Sequence, residues 1–295
     1  MERIVFVVLH YETLDDTKKC IDSLLKYLAG DEVHIVAVDN GSANGKLSAL
    51  QDGYRHIPQV HWIYSAKNLG FAKGNNLGYR YAKYQLGANV IVLANNDLVF
   101  EQKDFIEKLR KQLAQTGFDV AGPKIFSLVD SKNQNPVQVQ YKDRSGVLKR
   151  LIKYNILYLS SLLNMDILLK RKFAREIEEF VPSADEDFQL HGACMIFAGD
   201  YLRRFDGLYD KTFMYGEENI LKHIVRCFGL KMCYLEDVSV YHKEGSSTQA
   251  IWGKGVKSRR FYYRWNIHSC RLLSRLMRKK NLTDQEMICQ NRECF

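Results

Sequence analysis

The chain has 295 residues, 46% of them hydrophobic, and a formal net charge of +9. That length holds one large α/β domain, alone or with appendages. Four prolines and 19 glycines exclude a linker-rich or disordered chain.

Residues 4–9 form a continuous apolar run, the pattern of a strand buried on both faces. The run is too short to span a membrane and has no small-residue cleavage site after it. Asp15 or Asp16 then caps a helix whose apolar positions are Cys20, Ile21, Leu24, Leu25 and Leu28, a helical spacing. A second strand, 33–38, stops at the turn-forming Asp39-Asn40-Gly41-Ser42. A third strand covers 60–64, and the Gly- and Asn-rich segment 68–78 opens the next helix. A fourth strand, 90–93, stops at Asn95-Asn96-Asp97. Strands alternating with helices predict an α/β fold with a mostly parallel sheet. Polar clusters after three strands predict ligand binding at the carboxyl ends of that sheet.

Beyond this half the organisation changes. Residues 127–143 read as a polar loop. Residues 147–173 carry a helical apolar stripe at 148, 152, 156, 159 and 163. Lys153, Asn155, Asn164 and Asp166 interrupt it, so it is not read as a transmembrane helix. Residues 192–197 read as a strand. Glu217-Glu218 precedes a helix with an apolar face at Ile220, Leu221, Ile224, Val225 and Phe228. A last basic helix carries Phe261, Trp265, His268, Leu272 and Leu276 on one face. The expected organisation is a main α/β domain over 1–247 and a basic amphipathic tail over 248–295. The domain divides into a first half (1–125), a helical insertion (126–180) and a second half (181–247).

Several clusters carry potential chemistry. Asp39 either accepts hydrogen bonds from a nucleobase or ribose, or caps its turn. In Asn68-Leu69-Gly70-Phe71-Ala72-Lys73-Gly74-Asn75-Asn76, glycine permits close backbone approach and Lys73 offsets phosphate charge, or else the segment is a glycine-containing connection with helix-capping asparagines. Asp97 is the carboxylate of Asn95-Asn96-Asp97 and suits a hard divalent cation, which takes one or two carboxylates plus substrate phosphates. Glu217 and Glu218 are candidate proton acceptors, or simply acids favoured in a first helical turn. His242 follows an apolar run and is a candidate metal ligand or a structural imidazole.

In order and spacing, these residues resemble the family 2 glycosyltransferases, in their rhamnosyltransferase-like and galactofuranosyltransferase-like branch. The resemblance begins at Val7-Val8-Leu9-His10-Tyr11 and runs through residues 17–24 and the clusters above. It continues in Phe205-Asp206-Gly207-Leu208-Tyr209, Tyr215-Gly216-Glu217-Glu218 and His242 to Ser247, covering about residues 4–247. It implies a GT-A fold and a metal-dependent, inverting transfer from a nucleotide sugar to a glycan hydroxyl. It also implies that His10, Tyr11, Asp39, Asn68, Gly70, Lys73, Asn75, Asn95 and Asn96 line the donor site. Asp97 and His242 would bind Mg²⁺ or Mn²⁺, and Glu218, with Glu217 beside it, would be the base. The donor expected from the branch is dTDP-rhamnose or a UDP-hexose, and the acceptor a lipid-linked or growing glycan of a bacterial surface polysaccharide. A catalytically weak, glycan- or nucleotide-binding scaffold of an assembly complex is the alternative. Tyr11-Glu12 replaces the usual Tyr-Asn, and Ile220 stands where the family usually has an acid.

Residues 245–283 contain ten Lys or Arg and no Asp or Glu. Such a tail predicts an anionic partner. No nucleic-acid-reading motif accompanies it, so nucleic acid is not expected. The expected partner is an anionic membrane surface, met by Phe261, Trp265, Leu272 and Leu276, with the 147–173 stripe as a second contact. Seven cysteines without metal-ligand spacing suit reduced thiols. The expected location is cytoplasmic, peripheral on the inner face of the plasma membrane.

Overall fold

The computed structural model describes residues 2–27, 30, 32–139, 141–173, 180, 187–244, 255–279 and 282–284. Its frame is an eight-stranded sheet. β1 (Ile4–His10) pairs in parallel with β2 (Val33–Asp39), which pairs in parallel with β3 (Val60–Tyr64) at one edge. On its other side β1 pairs in parallel with β4 (Val90–Asn95). The helices between these strands are α1 (Leu14–Tyr27), the short α2 (Ser48–Gln51) and α3 (Phe71–Tyr84). β1 alternates between two cores: Val5 and Val7 face α3, while Ile4, Phe6 and Val8 face α1. Each Val or Ile so buried contributes about 1.5–3 kcal/mol relative to an exposed position. α3 lies very close to the sheet. A Cβ at Gly78 would come within 2.3 Å of Val7 Cγ1, so only glycine fits this crossing.

The remaining strands complete the sheet less regularly. After β5 (Leu98–Val99) and α4 (Phe105–Thr116) the chain forms β6 (Val120–Ser127). The expected polar loop holds one short strand, β7 (Val137–Gln138), paired with β8 (Phe188–Gln189) in a separate ribbon. β9 (Cys194–Phe197) inserts antiparallel between β4 and β6. β10 (Met232–His242) runs parallel to β6 and pairs antiparallel with β5 at the far edge. The sheet is thus mostly parallel and flanked by helices, as the α/β reading requires.

The apolar stretch over 147–173 forms two helices, α5 (Arg144–Leu162) and α6 (Asp166–Phe173). α7 (Gly199–Arg204), α8 (Glu217–Cys227) and α9 (Val256–Leu276) follow. α9 runs antiparallel to α5. Arg144 Nε reaches Ser274 Oγ at 3.1 Å, the Tyr154 and Tyr262 hydroxyls meet at 3.2 Å, and Arg259 Nε holds Asp166 at 2.6 Å. Asp166 is fully buried, and the Arg259 guanidinium, with Tyr263 also donating to it, keeps its carboxyl below the usual range. Tyr263, Ile267, Cys270, Leu273 and Leu276 of α9 join the same core as Val5 and Val7. Trp265 stacks on Phe213 at 4.6 Å, and Phe261 lies beside the same ring. The apolar side expected to meet a membrane therefore packs largely on protein.

The stripe on α5 behaves differently. Its buried side is Val147, Tyr154, Leu157 and Ser161. Ile152, Ile156, Leu159 and Leu163 are exposed, as are Leu162, Met165, Ile167 and Leu168. No described helix is long and apolar enough to cross a membrane. Cys20, Cys194, Cys227, Cys233 and Cys270 are free thiols.

Candidate active site

The parallel register sets the position of the site. His10 is level with Asp39, and Leu9 with Asn95, so the polar ends of β1, β2 and β4 open on one side of the sheet. A cavity of about 320 Å³ lies there. Tyr11, Asn68, Gly70, Asn95, Asn96, Asp97, Glu217, Glu218 and His242 all line it. Residues far apart in sequence thus converge as expected. The cavity floor is held rigidly. Asn96 Nδ2 donates to Thr13 Oγ1 and Thr17 Oγ1, each at 2.8 Å. Asn40 Nδ2 donates to Asn68 Oδ1 at 3.2 Å and to the Gly70 carbonyl at 3.1 Å, while its Oδ1 accepts from the Leu69 amide at 3.0 Å.

Asp97 and His242 sit together because β5 and β10 pair beside them, with Leu98 opposite His242. His242 Nε2 lies 3.3 Å from Asp97 Oδ1. His242 Nδ1 contacts Gln134 Oε1 at 2.8 Å, and Gln134 Nε2 in turn donates to Glu244 at 2.8 Å. An amide oxygen accepts only, so Nδ1 carries a proton, and Nε2 is the ring nitrogen turned toward Asp97. Such an outer hydrogen bond orients an imidazole for metal ligation. Asp97 and His242 thus fit a divalent cation as a two-residue site that substrate phosphates and water complete. No cluster of three or more His, Cys, Asp or Glu suited to a metal occurs among the described residues.

His191 adds a second imidazole, 5.8 Å from that of His242 between ring centres. Its Nδ1 accepts from the Ala193 amide at 3.2 Å, which leaves the proton on Nε2. Burial, and then the neighbouring His242, push its pKa down to about 4, so it is neutral near pH 7.

Glu217 and Glu218 open α8 rather than preceding it. Tyr215 and Gly216 just before them are both left-handed, with φ of 68° and 88°. For tyrosine this conformation is strained, and such strain clusters where a side chain must be aimed. Glu217 is buried, and burial followed by repulsion from Glu218 raises its pKa to about 8. Burial also raises that of Glu218. Glu218 lies over Gly192, where a Cβ would come within 2.3 Å of Glu218 Oε1.

His10, Asp39, Lys73 and Asn75 lie outside the cavity lining. His10 is fully buried, and its ring bridges Thr17 Oγ1 at 2.6 Å and the Gly45 carbonyl at 2.8 Å. Both Asp39 oxygens accept backbone amides, of Ser42 and Leu47, at 2.9 Å. Asn75 Nδ2 donates within α3 to the Phe71 carbonyl at 3.0 Å. Lys73 is half-buried on the same helix. Sequence reasoning missed Asn40, His191, Phe213 and Phe261 in the lining. His191 had a signal: it lies three residues before the strand β9, at the carboxyl end of the neighbouring strand β4.

Residues 5–167 match the family described as Glycosyl transferase family 2. The low-salt glycan biosynthesis hexosyltransferase Agl10 of Haloferax volcanii is 27% identical over 127 residues, 43% of this chain and 38% of that protein. The dTDP-rhamnosyl transferase RfbF of Shigella flexneri is 29% identical over 125 residues, 42% and 40% of the two chains. The match spans about two fifths of each relative's length. Among solved structures, S. aureus TarS 1–349 aligns with a TM-score of 0.53 at 14% identity, over 82% of this chain and 60% of that one. Its complex with UDP aligns at 0.54 and 13%, over the same shares. At such identity the likeness concerns the fold, which is GT-A-like. The family match covers more than half of the sequence, and the chain is a member of glycosyltransferase family 2.

Proposed function

We propose that this glycosyltransferase moves rhamnose or a hexose from a nucleoside diphosphate sugar to a glycan hydroxyl with inversion, during assembly of a bacterial surface polysaccharide. The observation that carries this reading is one cavity holding both the Asp97–His242 pair and the Glu217–Glu218 pair at the strand ends. The similarity to the dTDP-rhamnosyl transferase RfbF and the hexosyltransferase Agl10 supports a rhamnosyl or hexosyl donor, and the TarS–UDP complex supports a nucleotide site in this fold.

In this mechanism the acceptor oxygen attacks the anomeric carbon. The bond from that carbon to the diphosphate oxygen breaks, and its electron pair leaves with the nucleoside diphosphate. Glu218 takes the hydroxyl proton. Its raised pKa suits that task, since a base works best with a pKa near the working pH. Glu217, buried beside it, holds a proton and so spares Glu218 a neighbouring charge. Asn68 and Asn95 present amides to the donor, and Asn96, tied to Thr13 and Thr17, turns its carbonyl side to the cavity. Asp39 shapes the 42–47 loop through the Ser42 and Leu47 amides, and Lys73 and Asn75 support the donor segment from α3. Mg²⁺ or Mn²⁺ held by Asp97 and His242 would supply positive charge to the departing diphosphate.

We also assign the chain to an anionic membrane surface, where a lipid-linked acceptor is met. The exposed apolar residues of α5 and α6 support this, together with the basic residues of α9.

A panel of nucleotide sugars with Mg²⁺ or Mn²⁺, read by thermal shift, tests the function. Ligand-linked stabilisation needs no knowledge of the acceptor. UDP- or dTDP-sugars are expected to stabilise the protein in a metal-dependent way. A guanosine-linked sugar as the only effective donor would overturn the donor choice. Turnover unchanged in Glu218→Gln would overturn its role as the base.

A further inference from the structure

A second cavity, of about 230 Å³, adjoins the first. His191, Tyr215 and Glu218 line both, so the two spaces meet at the carboxylate assigned as base. If the donor fills the first cavity, as the proposed function requires, an acceptor reaching Glu218 through the second would put its hydroxyl at that junction.

The chemistry of the second cavity is specific. Arg150 of α5 lines it. The guanidinium lies over the rings of Tyr141 and Tyr154, 5.3 and 5.2 Å from their centres. Its Nε and one terminal nitrogen donate to a single oxygen, the Tyr154 hydroxyl, at 3.2 and 2.8 Å. Among the described residues no carboxylate pairs with it, and its other terminal nitrogen makes no hydrogen bond. An arginine stays charged at any working pH, and a partly buried guanidinium without a counter-ion is costly unless a ligand completes it. Ser269 of α9 also lines the cavity. It is 4% exposed, and its Oγ has no hydrogen-bond partner. A guanidinium with free donor capacity and a buried unpartnered hydroxyl suit a tetrahedral or planar anion better than a neutral sugar face.

We propose that the second cavity is the acceptor subsite, and that Arg150 and Ser269 recognise a phosphate or carboxylate group carried by the acceptor glycan. Neither residue touches the reacting atoms. Arg150 is a specificity residue that draws an anionic acceptor into line with Glu218.

The test measures binding of glucose 6-phosphate, glucuronate and uncharged methyl glucoside by saturation-transfer NMR, with the full chain saturated by UDP or dTDP. Saturation keeps phosphate probes out of the first cavity. At least one anionic sugar is expected to bind tenfold or more tightly than methyl glucoside, and the tighter of the two identifies phosphate or carboxylate as the group read. Arg150→Met should remove that preference without changing nucleotide affinity. Asn219→Asp is the second variant, because Met at 150 also loses its stacking on Tyr141 and Tyr154. Asn219 lines the same cavity in the first turn of α8, where an acid is tolerated and would repel the anion. It should weaken anion binding about as much. Anionic sugars binding no better than methyl glucoside, or undiminished binding in both variants, would overturn the proposal while leaving the donor site intact. Failure of every nucleotide to bind would count instead against the proposed transferase site.

Discussion

Asp97 and Glu218 are both carboxylates on one cavity, yet their surroundings ask opposite things of them. Asp97 faces the Nε2 edge of an imidazole held from behind by Gln134, an arrangement that suits a cation between them. Asp97→Ala should abolish metal-dependent nucleotide binding and transfer, with a cooperative melt retained. Wild-type transfer by this variant in excess chelator would show the metal assignment to be wrong. Glu218 instead sits where burial favours its protonated form. Glu218→Gln should lower kcat by about 10²–10⁴-fold with little change in donor affinity. If Glu217→Gln alone produces that loss, the base is its neighbour. Glu217 makes a separate prediction about stability. Its pKa rises from 4.5 to about 8 on folding, so between those values the folded state holds more proton than the unfolded state. Stability must then fall as pH rises through that window, and the loss is complete above it. Glu217→Gln removes this dependence. Its melting temperature should match wild type near pH 4.5 and exceed it at pH 8. A difference independent of pH would show that Glu217 is ionised in the folded protein throughout.

Helix α8 turns these residue properties into geometry, because the left-handed pair Tyr215-Gly216 sets where its first turn points. Gly192 is the surface that first turn rests on. Gly192→Ala would force Glu218 to move, since the added Cβ falls 2.3 Å from Oε1. A misplacement near 1 Å costs about 10²-fold in rate, so kcat should fall by that order while nucleotide affinity holds. Gly53→Ala, with open space around its Cβ, is the control. The elements differ in how far they were legible beforehand. β1 to β4, α1 and α3 follow simple patterns, apolar runs and 3.6-residue faces, and lie where those patterns put them. β6 was obscured by Gly122-Pro123 within the strand. Pro123 is accommodated where the ladder breaks: it pairs with Leu235, and the register then jumps so that Lys124 faces Ser239. The same bulge exposes Glu236 and Asp237 and hides the continuity of β10. β9 reads as a strand, but nothing local signals its antiparallel insertion between β4 and β6. At the site, turn chemistry predicted polar cluster positions well and side-chain direction poorly. Asp39 and His10 end their strands as expected, yet they satisfy backbone and threonine groups behind the cavity. A strand's last side chain can face either side of the sheet, and only the fold decides which.

The described residues include an apolar face that their own packing leaves uncovered. Eight large apolar residues between 152 and 168 are exposed, with Leu163 at 74% and Leu168 at 63%. Ile152, Ile156, Leu159 and Leu163 recur at spacings of three and four and so share one side of α5. The opposite side of that helix meets α9, whose aromatic and apolar residues are largely covered. The helix pair thus divides the work: α9 anchors the core, while α5 and α6 present apolar surface to the exterior. Exposed apolar surface of this kind marks an interaction site. Arg264, Arg271 and Arg275 are exposed on the partner helix α9, and Arg278 and Lys279 just past its end. An apolar helix face with basic residues alongside suits the headgroup boundary of an anionic leaflet, where each basic residue contributes about 1 kcal/mol, roughly fivefold in affinity. The prediction is co-sedimentation with vesicles containing anionic lipid, weakening as salt rises, and little binding to neutral vesicles. Replacing Ile156, Leu159 and Leu163 by Glu should abolish binding while leaving nucleotide affinity unchanged. Neutralising Arg264, Arg271, Arg275 and Arg278 should weaken it and flatten its salt dependence. The two sets of variants separate the terms, because apolar insertion resists salt and charge attraction does not. No binding to either vesicle type at low salt would sink the idea. Binding that survives the three Glu substitutions would return the contact to α9, which would then have to leave the core to make it.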